Sequence, residues 1–323
     1  MLKERGGRQA RPGRPGAQHT GALARSDTDR MVQLQHLTSY ADPSLVPFPV
    51  ALIFISTLGA LIGSFLNVVI HRVPREESIV FPNSRCPSCG TAIRPYDNIP
   101  VLSFLVLRGR CRACGVSISR RYPAIEALTA LLFGLVFLHD GLTLALPFDL
   151  VFVAALVSLV FIDAEHMILP DVITLPGFAF ALVARALVPN TYGLAFLGEG
   201  LLQGWPVWAL SVAGALFGAA VGGGSLWLMG WLWERLRGVE AMGLGDVKML
   251  FMVGAYLGWP LTVLTIFLGV VSGSTAGVGL MLWRRERDMQ MLLPFGIFLG
   301  VGAILSILLG RQIIDWYLGH FIP

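Results

Sequence analysis

The chain has 323 residues, of which 55% are hydrophobic and 14% charged, and its formal net charge is +4. Soluble domains carry roughly 25% charged residues, so this composition excludes a soluble protein with a large core. The mean hydropathy of +0.69 instead predicts an integral membrane protein. Because the net charge is small, the positions of the charged residues carry more information than their sum.

The N-terminal segment differs from the rest of the chain. Residues 1–30 are rich in Arg, Gly and Pro and show no apolar period. They are too polar for a signal peptide, which needs an apolar middle region. We therefore predict that residues 1–46 form a disordered basic extension. A second methionine, Met31, precedes a short lead-in to the first apolar run, and we hypothesise that translation starts there. Mass spectrometry that detects an N-terminal peptide beginning at Met1 or Leu2 would refute this hypothesis.

Eight apolar runs predict membrane-spanning helices, each of which needs about 20 residues. The runs cover residues 48–70, 123–139, 145–162, 169–188, 205–233, 247–259, 260–283 and 293–310. The sixth run is the shortest. The predicted fold is therefore an all-α polytopic membrane protein. Its first span lies within residues 47–71, its seven-helix core within residues 123–310, and an outer-side tail within residues 311–323, where aromatic residues favour the membrane interface.

A polar insert, residues 72–122, separates the first two predicted spans. It is rich in arginine and contains few acidic residues. The excess of Arg and Lys in cytoplasmic loops places this insert in the cytoplasm. The short loops at residues 140–144 and 189–204 contain no Lys or Arg, as expected on the opposite side. The basic residues of the insert are best explained by topology and by contact with anionic lipid headgroups, and we expect no nucleic-acid partner.

All four cysteines lie in this insert, as Cys86-Pro-Ser-Cys89 and Cys111-Arg-Ala-Cys114. Two CxxC pairs at this separation indicate a four-cysteine metal site, and the metal that favours such a site is Zn²⁺. The alternative is a pair of disulfides, which a reducing cytoplasm disfavours. Four thiolates leave no open coordination position for water. The sequence therefore predicts a zinc-ribbon-like insert in which the zinc is structural.

Two aspartates lie in apolar surroundings. Asp163 ends the run Leu156-Val-Ser-Leu-Val-Phe-Ile, and Asp246 lies within Gly243-Leu-Gly-Asp-Val-Lys248. A carboxylate at membrane depth is costly and is a functional candidate with an expected partner. Two predicted spans separate the insert from Asp163, and two more separate Asp163 from Asp246. The insert and both aspartates should therefore share one membrane face.

A pair of carboxylates sharing one proton is sufficient for aspartyl proteolysis. One carboxylate acts as general base on a water, and the other, protonated, polarises the scissile carbonyl. Glycines beside Asp246, at Gly243 and Gly245, allow close approach of a substrate backbone. Lys248 does not share a helix face with Asp246, so we expect it to reach the interface or to hold substrate.

Three further polar residues follow Asp163. Asp171 has a structural explanation, because an acid is favourable in the first turn of a helix. His166 reads as an interfacial loop residue, and Glu165 has no single interpretation.

Several motifs together make the chain resemble the prepilin peptidase family, also called the type IV leader peptidase family. Besides the two cysteine pairs and both aspartate segments, the motifs are Gly63-Ser-Phe-Leu-Asn-Val-Val-Ile-His-Arg-Val-Pro74, Asn98-Ile-Pro-Val-Leu-Ser103, Arg108-Gly-Arg-Cys111, Ile118-Ser-Arg-Arg-Tyr-Pro-Ala-Ile-Glu126, Leu169-Pro-Asp171 and Pro294-Phe-Gly-Ile-Phe-Leu299. The resemblance implies that Asp163 and Asp246 are the catalytic dyad of a membrane aspartyl protease in the bacterial inner membrane. It implies cleavage of prepilin or pseudopilin leaders after a Gly, at the cytoplasmic face.

The resemblance also implies methylation of the new N-terminus with S-adenosylmethionine. The chain has no Gly-rich dinucleotide fingerprint, so spacing alone does not locate the methyl donor. The candidate residues in and beside the insert are Asn98, Arg110 and Glu126. Asn98 and Arg110 have an alternative role in folding the insert, and Glu126 has one as an acid near a helix start.

Three other functions are consistent with parts of the sequence. A transporter with paired intramembrane carboxylates requires acids near the bilayer midplane and internal repeats, and no repeat is visible. A zinc-ribbon adaptor or nucleic-acid tether leaves both aspartates without a role. A methyltransferase without protease activity requires that one of the aspartates be dispensable.

Overall fold

The computed structural model describes residues 46–190, 192–194, 204–238, 243–284 and 294–321. The chain divides into two units, Met1–Tyr40 and Ala41–Pro323, and every described residue belongs to the second. The predictions for the N-terminal extension and for Met31 lie outside the described residues.

The described part of the chain is helical and contains no strand beyond two isolated bridges in the insert, which confirms the all-α prediction. The helices are α1 Phe48–Arg72, α2 Leu102–Val106, α3 Arg121–Asp140, α4 Leu146–His166, α5 Asp171–Leu187, α6 Val207–Ala219, α7 Ser225–Arg237, α8 Leu244–Leu257, α9 Trp259–Arg284 and α10 Phe295–Phe321. A π-helical turn, Ala220–Gly224, makes α6 and α7 one continuous rod. α10 continues to Phe321, beyond the predicted end of the eighth span at 310.

Each predicted span has a helix in the structure, but the count of eight spans is not confirmed. Among the described residues, six helical segments are long and apolar enough to cross a membrane. The two predicted spans outside these six correspond to α5, with 17 residues, and α8, with 14 residues. At 1.5 Å per residue, a helix the length of α8 rises about 21 Å, less than the roughly 30 Å hydrocarbon thickness.

The short α8 is the most deeply buried helix of the bundle. Met249, Leu250, Met252 and Val253 each have no exposed surface. They pack into one core cluster with residues of α4, α5, α6 and α10. A second cluster joins α1, α3 and α4. α4 contributes to both clusters and therefore connects the two halves of the bundle, while α8 is covered by protein and needs no lipid-facing surface.

Candidate active site and metal centre

Asp163 and Asp246 lie at the ends of two helices. Asp163 is in the last turn of α4, and Asp246 is in the first turn of α8. Asp163 is 5% exposed, and its Oδ2 accepts a hydrogen bond of 3.0 Å from the backbone N–H of Ile297. That N–H is one of the free donors at the start of α10, where a negative charge is favoured. The α10 N-terminus thereby fixes the orientation of the Asp163 carboxylate.

The two aspartates converge around Leu169. A Cβ added to Gly296 would lie 2.7 Å from Asp163 Oδ2 and 3.1 Å from Leu169 Cδ1. A Cβ added to Gly245, the residue before Asp246, would lie 3.5 Å from the same Leu169 Cδ1. The structure therefore brings together the two acids that lie 83 positions apart in the numbering, at one end of the bundle.

The residues around Asp246 differ in their contributions. Gly243 precedes α8 with φ −69° and ψ 136°, an extended conformation open to any residue, so the backbone at this position does not require a glycine. Gly245 allows α8 to approach Leu169. Lys248 Nζ donates to both carboxylate oxygens of Asp171 at 2.7 and 2.8 Å. Asp171 is the first residue of α5, as predicted, and the ion pair holds α8 against α5.

The insert lies at the same end of the bundle as the two aspartates. Arg121, the first residue of α3, forms an ion pair with Glu165, near the end of α4. Glu165 follows Asp163 by two residues. This contact gives Glu165 a role that the sequence left open, and it connects the end of the insert to the acid pair independently of the number of spans.

The four cysteines form one cluster. All are free thiols, and their Sγ atoms lie within 4.8 Å of one another. The two CxxC segments have the same fold. The backbone N–H of Cys86 donates to the carbonyl oxygen of Thr91, five residues later in the chain. The backbone N–H of Cys111 donates in the same way to the carbonyl oxygen of Val116. After each pair a glycine turns the chain, with φ +69° at Gly90 and +71° at Gly115, in the left-handed region that glycine adopts without strain.

The electrostatics of this cluster fit a cation. The side-chain and backbone hydrogen bonds of Thr91 lower the pKa of Cys89 to about 6. The Cys114 thiol accepts a backbone hydrogen bond from Val116 that lowers its pKa, but burial and the neighbouring cysteine thiols outweigh this and raise it to about 11. Four thiols this close together cannot all ionise without a positive charge between them. The donor set and spacing suit a tetrahedral metal ion.

A cavity of about 810 Å³ lies between the C-terminal end of α1, the start of α3 and the insert. Asn98 and Glu126 line it, whereas Arg110 is not among its lining residues. Arg110 instead forms a backbone bridge with Ser117 in the second cysteine segment. Glu126 is 9% exposed, and its Oε2 accepts a 2.7 Å hydrogen bond from the Val101 backbone N–H. Two of the three methyl-transfer candidates therefore share one cavity.

Comparison with known families decides the affiliation. Residues 57–139 match the bacterial peptidase A24 N-terminal domain, and residues 150–278 match the type IV leader peptidase family. The chain belongs to the type IV leader peptidase family. The first match covers the insert and the cavity, and the second contains both aspartates.

Relatives in this family are similar over almost their whole length. A prepilin leader peptidase/N-methyltransferase of Pseudomonas aeruginosa is 38% identical over 85% of this chain and 96% of its own. The protein of the same name from Dichelobacter nodosus is 36% identical over 83% of this chain and 95% of its own. No solved structure matches the chain.

Some site residues were missed by the sequence reasoning. Asn67 is a buried amide in the apolar α1 and lines the cavity. The backbone of Ile297 holds Asp163, and Asp171 is the partner of Lys248. A polar residue inside an apolar helix is itself a signal and would have identified Asn67, whereas the other two contacts depend on the packing of distant helices.

Proposed function

We propose that this protein is a bacterial inner-membrane aspartyl endopeptidase that cleaves the basic leader of prepilins or pseudopilins and methylates the new N-terminus. The observation that carries the peptidase activity is the convergence of Asp163 and Asp246 at one end of the bundle. Family membership and the names of the relatives support the same reading. They give no support to a transporter.

The two aspartates divide the chemistry of peptide hydrolysis. One carboxylate removes a proton from a water molecule, while the other, protonated, donates a hydrogen bond to the scissile carbonyl. The water oxygen adds to the carbonyl carbon. The C–N bond then breaks, and the leaving amine takes up a proton. Two carboxyl groups that work as such a pair take up and release protons as a unit. The N–H of Ile297 keeps Asp163 in place through these steps.

The membrane face follows from charge. The arginine-rich insert favours the cytoplasmic side, and the Arg121–Glu165 pair keeps the insert beside the acid pair. A leader with basic residues remains on that side before cleavage. The position of the site at the helix ends, with Asp246 only half-buried, suits a substrate whose apolar helix stays in the bilayer.

Two cofactors belong to this proposal. Cys86, Cys89, Cys111 and Cys114 hold Zn²⁺, which folds the insert and takes no part in the hydrolysis. S-adenosylmethionine supplies the methyl group, with Asn98 and Glu126 as the candidate residues that the cavity supports and Arg110 as one that it does not.

Mass spectrometry of a prepilin substrate tests the dyad. Asp163→Asn and Asp246→Asn should each abolish cleavage after the leader glycine, because neither amide can exchange the proton that the pair shares. Asp315→Asn is the matched control, since Asp315 is an exposed residue of α10. This variant should cleave the substrate at the parent rate. Cleavage that persists in either dyad variant would show that hydrolysis does not need the pair.

A further inference from the structure

The two helices that carry the acid pair are also joined at the opposite end of the bundle. Asp149 lies in the first turn of α4, at the other end of the helix from Asp163. Tyr256 lies in the last turn of α8, at the other end of the helix from Asp246. The Tyr256 hydroxyl donates a hydrogen bond of 2.8 Å to Asp149 Oδ1. About four turns of α4 and about three turns of α8 separate this hydrogen bond from the acid pair.

Tyr256 is held in place by the groups around it. It is 2% exposed, and its ring stacks on that of Phe152, with the ring centroids 3.9 Å apart. Arg185, in the last turn of α5, has its guanidinium carbon 4.5 Å from the centroid of the same ring. The Arg185 Nε also donates to the backbone carbonyl of Tyr256 at 2.7 Å, one of the carbonyls at a helix end that have no partner within the helix. A ring packed in this way has little freedom to turn away from Asp149.

Between these two points α10 lies against both helices. A Cβ added to Gly300 of α10 would lie 2.2 Å from Val160 Cγ2 on α4 and 3.4 Å from Met249 Cε on α8. At mid-length, α4 and α8 therefore pack on α10 at the same position. The hydrogen bond from Tyr256 to Asp149 links α4 and α8 directly. Because a packed interior has low compressibility and transmits displacement, a fixed contact at one end of two helices limits where their other ends can lie.

We propose that Tyr256 and Asp149 are positioning residues for the peptidase reaction, since their hydrogen bond sets the placement of α8 relative to α4 and thereby of Asp246 relative to Asp163. The inference rests on the proposed function, because it concerns the reaction of the two aspartates. Misplacement of a reacting group by about 1 Å can slow a reaction about 100-fold. Tyr256 and Asp149 lie at the far ends of their helices from the acid pair and do not reach a substrate bound there. We therefore expect their loss to lower kcat and to leave KM unchanged.

Steady-state cleavage of a prepilin substrate by the purified full-length protein tests this role, at a temperature well below the unfolding midpoint of every variant. Tyr256→Phe removes only the hydroxyl, so kcat should fall at least about tenfold while KM stays within about twofold of the parent value. Asp149→Leu has no acceptor and should show the same loss. The double variant should be no slower than either single variant, because both changes remove one hydrogen bond.

The conservative variant at the acceptor should restore the reaction. Asp149→Asn keeps a carbonyl oxygen that can accept from the Tyr256 hydroxyl, and its kcat should stay within about threefold of the parent value. An acid in the first turn of a helix is favourable without any partner. This variant separates the two roles of Asp149, because it removes the charge and keeps the acceptor.

Val136→Ala is the control for stability. Val136 is fully buried on α3 and belongs to the second core cluster, whose described residues include none of α8. Its truncation should lower the midpoint of thermal unfolding and leave kcat at the parent value. A loss of kcat in Tyr256→Phe at a comparable midpoint then reports placement of the acid pair and not the stability of the fold.

Three results overturn the inference. A Tyr256→Phe variant with a lower midpoint and the parent kcat would show that the hydrogen bond only stabilises the fold. A raised KM with an unchanged kcat would place its effect on substrate binding. Equal losses of kcat in Asp149→Asn and Asp149→Leu would assign the effect to the charge of Asp149. In each of these cases the parent still cleaves and the proposed function stands, whereas a parent that cleaves no prepilin contradicts the proposed function itself.

Discussion

At the scale of single residues, the carboxylate of Asp163 depends on the absence of a side chain at Gly296. The space that a Cβ would need there is occupied by the carboxylate itself, 2.7 Å away, and by Leu169. The Pro-Phe-Gly motif that opens α10 therefore does two things, because its glycine admits the acid and the following N–H binds it.

Gly296→Ala should reduce prepilin cleavage by about two orders of magnitude, the cost of misplacing a reacting group by roughly 1 Å. The expected cause is displacement of the Asp163 carboxylate from Ile297. Steady-state cleavage assays measure the loss. Gly319→Ala, on the same helix in open space, should cleave at the parent rate. A Gly296→Ala variant with parent activity would show that the carboxylate tolerates displacement.

At the scale of helices, the centre of the bundle depends on direct backbone contact between α6 and α8. A Cβ on Gly254 would lie 2.2 Å from the carbonyl oxygen of Gly218, and the reverse distance is also 2.2 Å. Small residues at membrane-helix interfaces allow such close approach. Backbone atoms cannot rotate away as side chains can, so this crossing tolerates no added methyl group without moving a helix.

Gly254→Ala should destabilise the folded protein by about 1–3 kcal/mol, the usual cost of overpacking a core. Thermal unfolding in detergent, followed by circular dichroism, measures the effect as a lower midpoint. Gly279→Ala on α9, where an added Cβ meets nothing within 4 Å, is the matched control. Equal midpoints for the two variants would show that α6 and α8 can move apart without loss of stability.

At the scale of the whole molecule, the insert and the helical bundle are stabilised by different means. Between residues 73 and 120 the buried residues are Cys86 and Gly109, so the insert has almost no apolar core. The bundle has two extensive ones. Small domains without a core need a metal or another crosslink, and metal binding then supplies the folding free energy.

Removal of the zinc that we propose for the four cysteines should therefore unfold the insert and leave the bundle helical. Chelation, or Cys86→Ser, should remove one zinc ion per chain, and elemental analysis measures this loss. Trypsin should then cut at arginines within the insert, such as Arg94 and Arg112, while the helical circular dichroism signal is retained. Ser88→Ala, an exposed position in the same cysteine segment, should keep its zinc and its resistance. A metal-free insert that resists trypsin would show that another interaction folds it.

The sequence by itself determined the features that depend on local chemistry. Hydrophobic runs predicted each helix of the bundle, although not the short α2 of the insert, because burial or lipid contact requires apolar side chains along the whole length. The paired CxxC spacing predicted a cysteine cluster because both halves of such a site are encoded locally. The two aspartates could be recognised in the sequence because a carboxylate in apolar surroundings costs free energy and is seldom present without a function.

Tertiary structure decided what depends on distant contacts. Run length already marked the sixth span as the shortest, but only the packed structure shows that its helix, α8, is covered by protein instead of lipid. The Lys248–Asp171 pair, the N–H of Ile297 on Asp163 and the cavity above Asn67 each join residues from separate helices. No pattern within a single segment encodes such contacts, because they arise only when the helices pack.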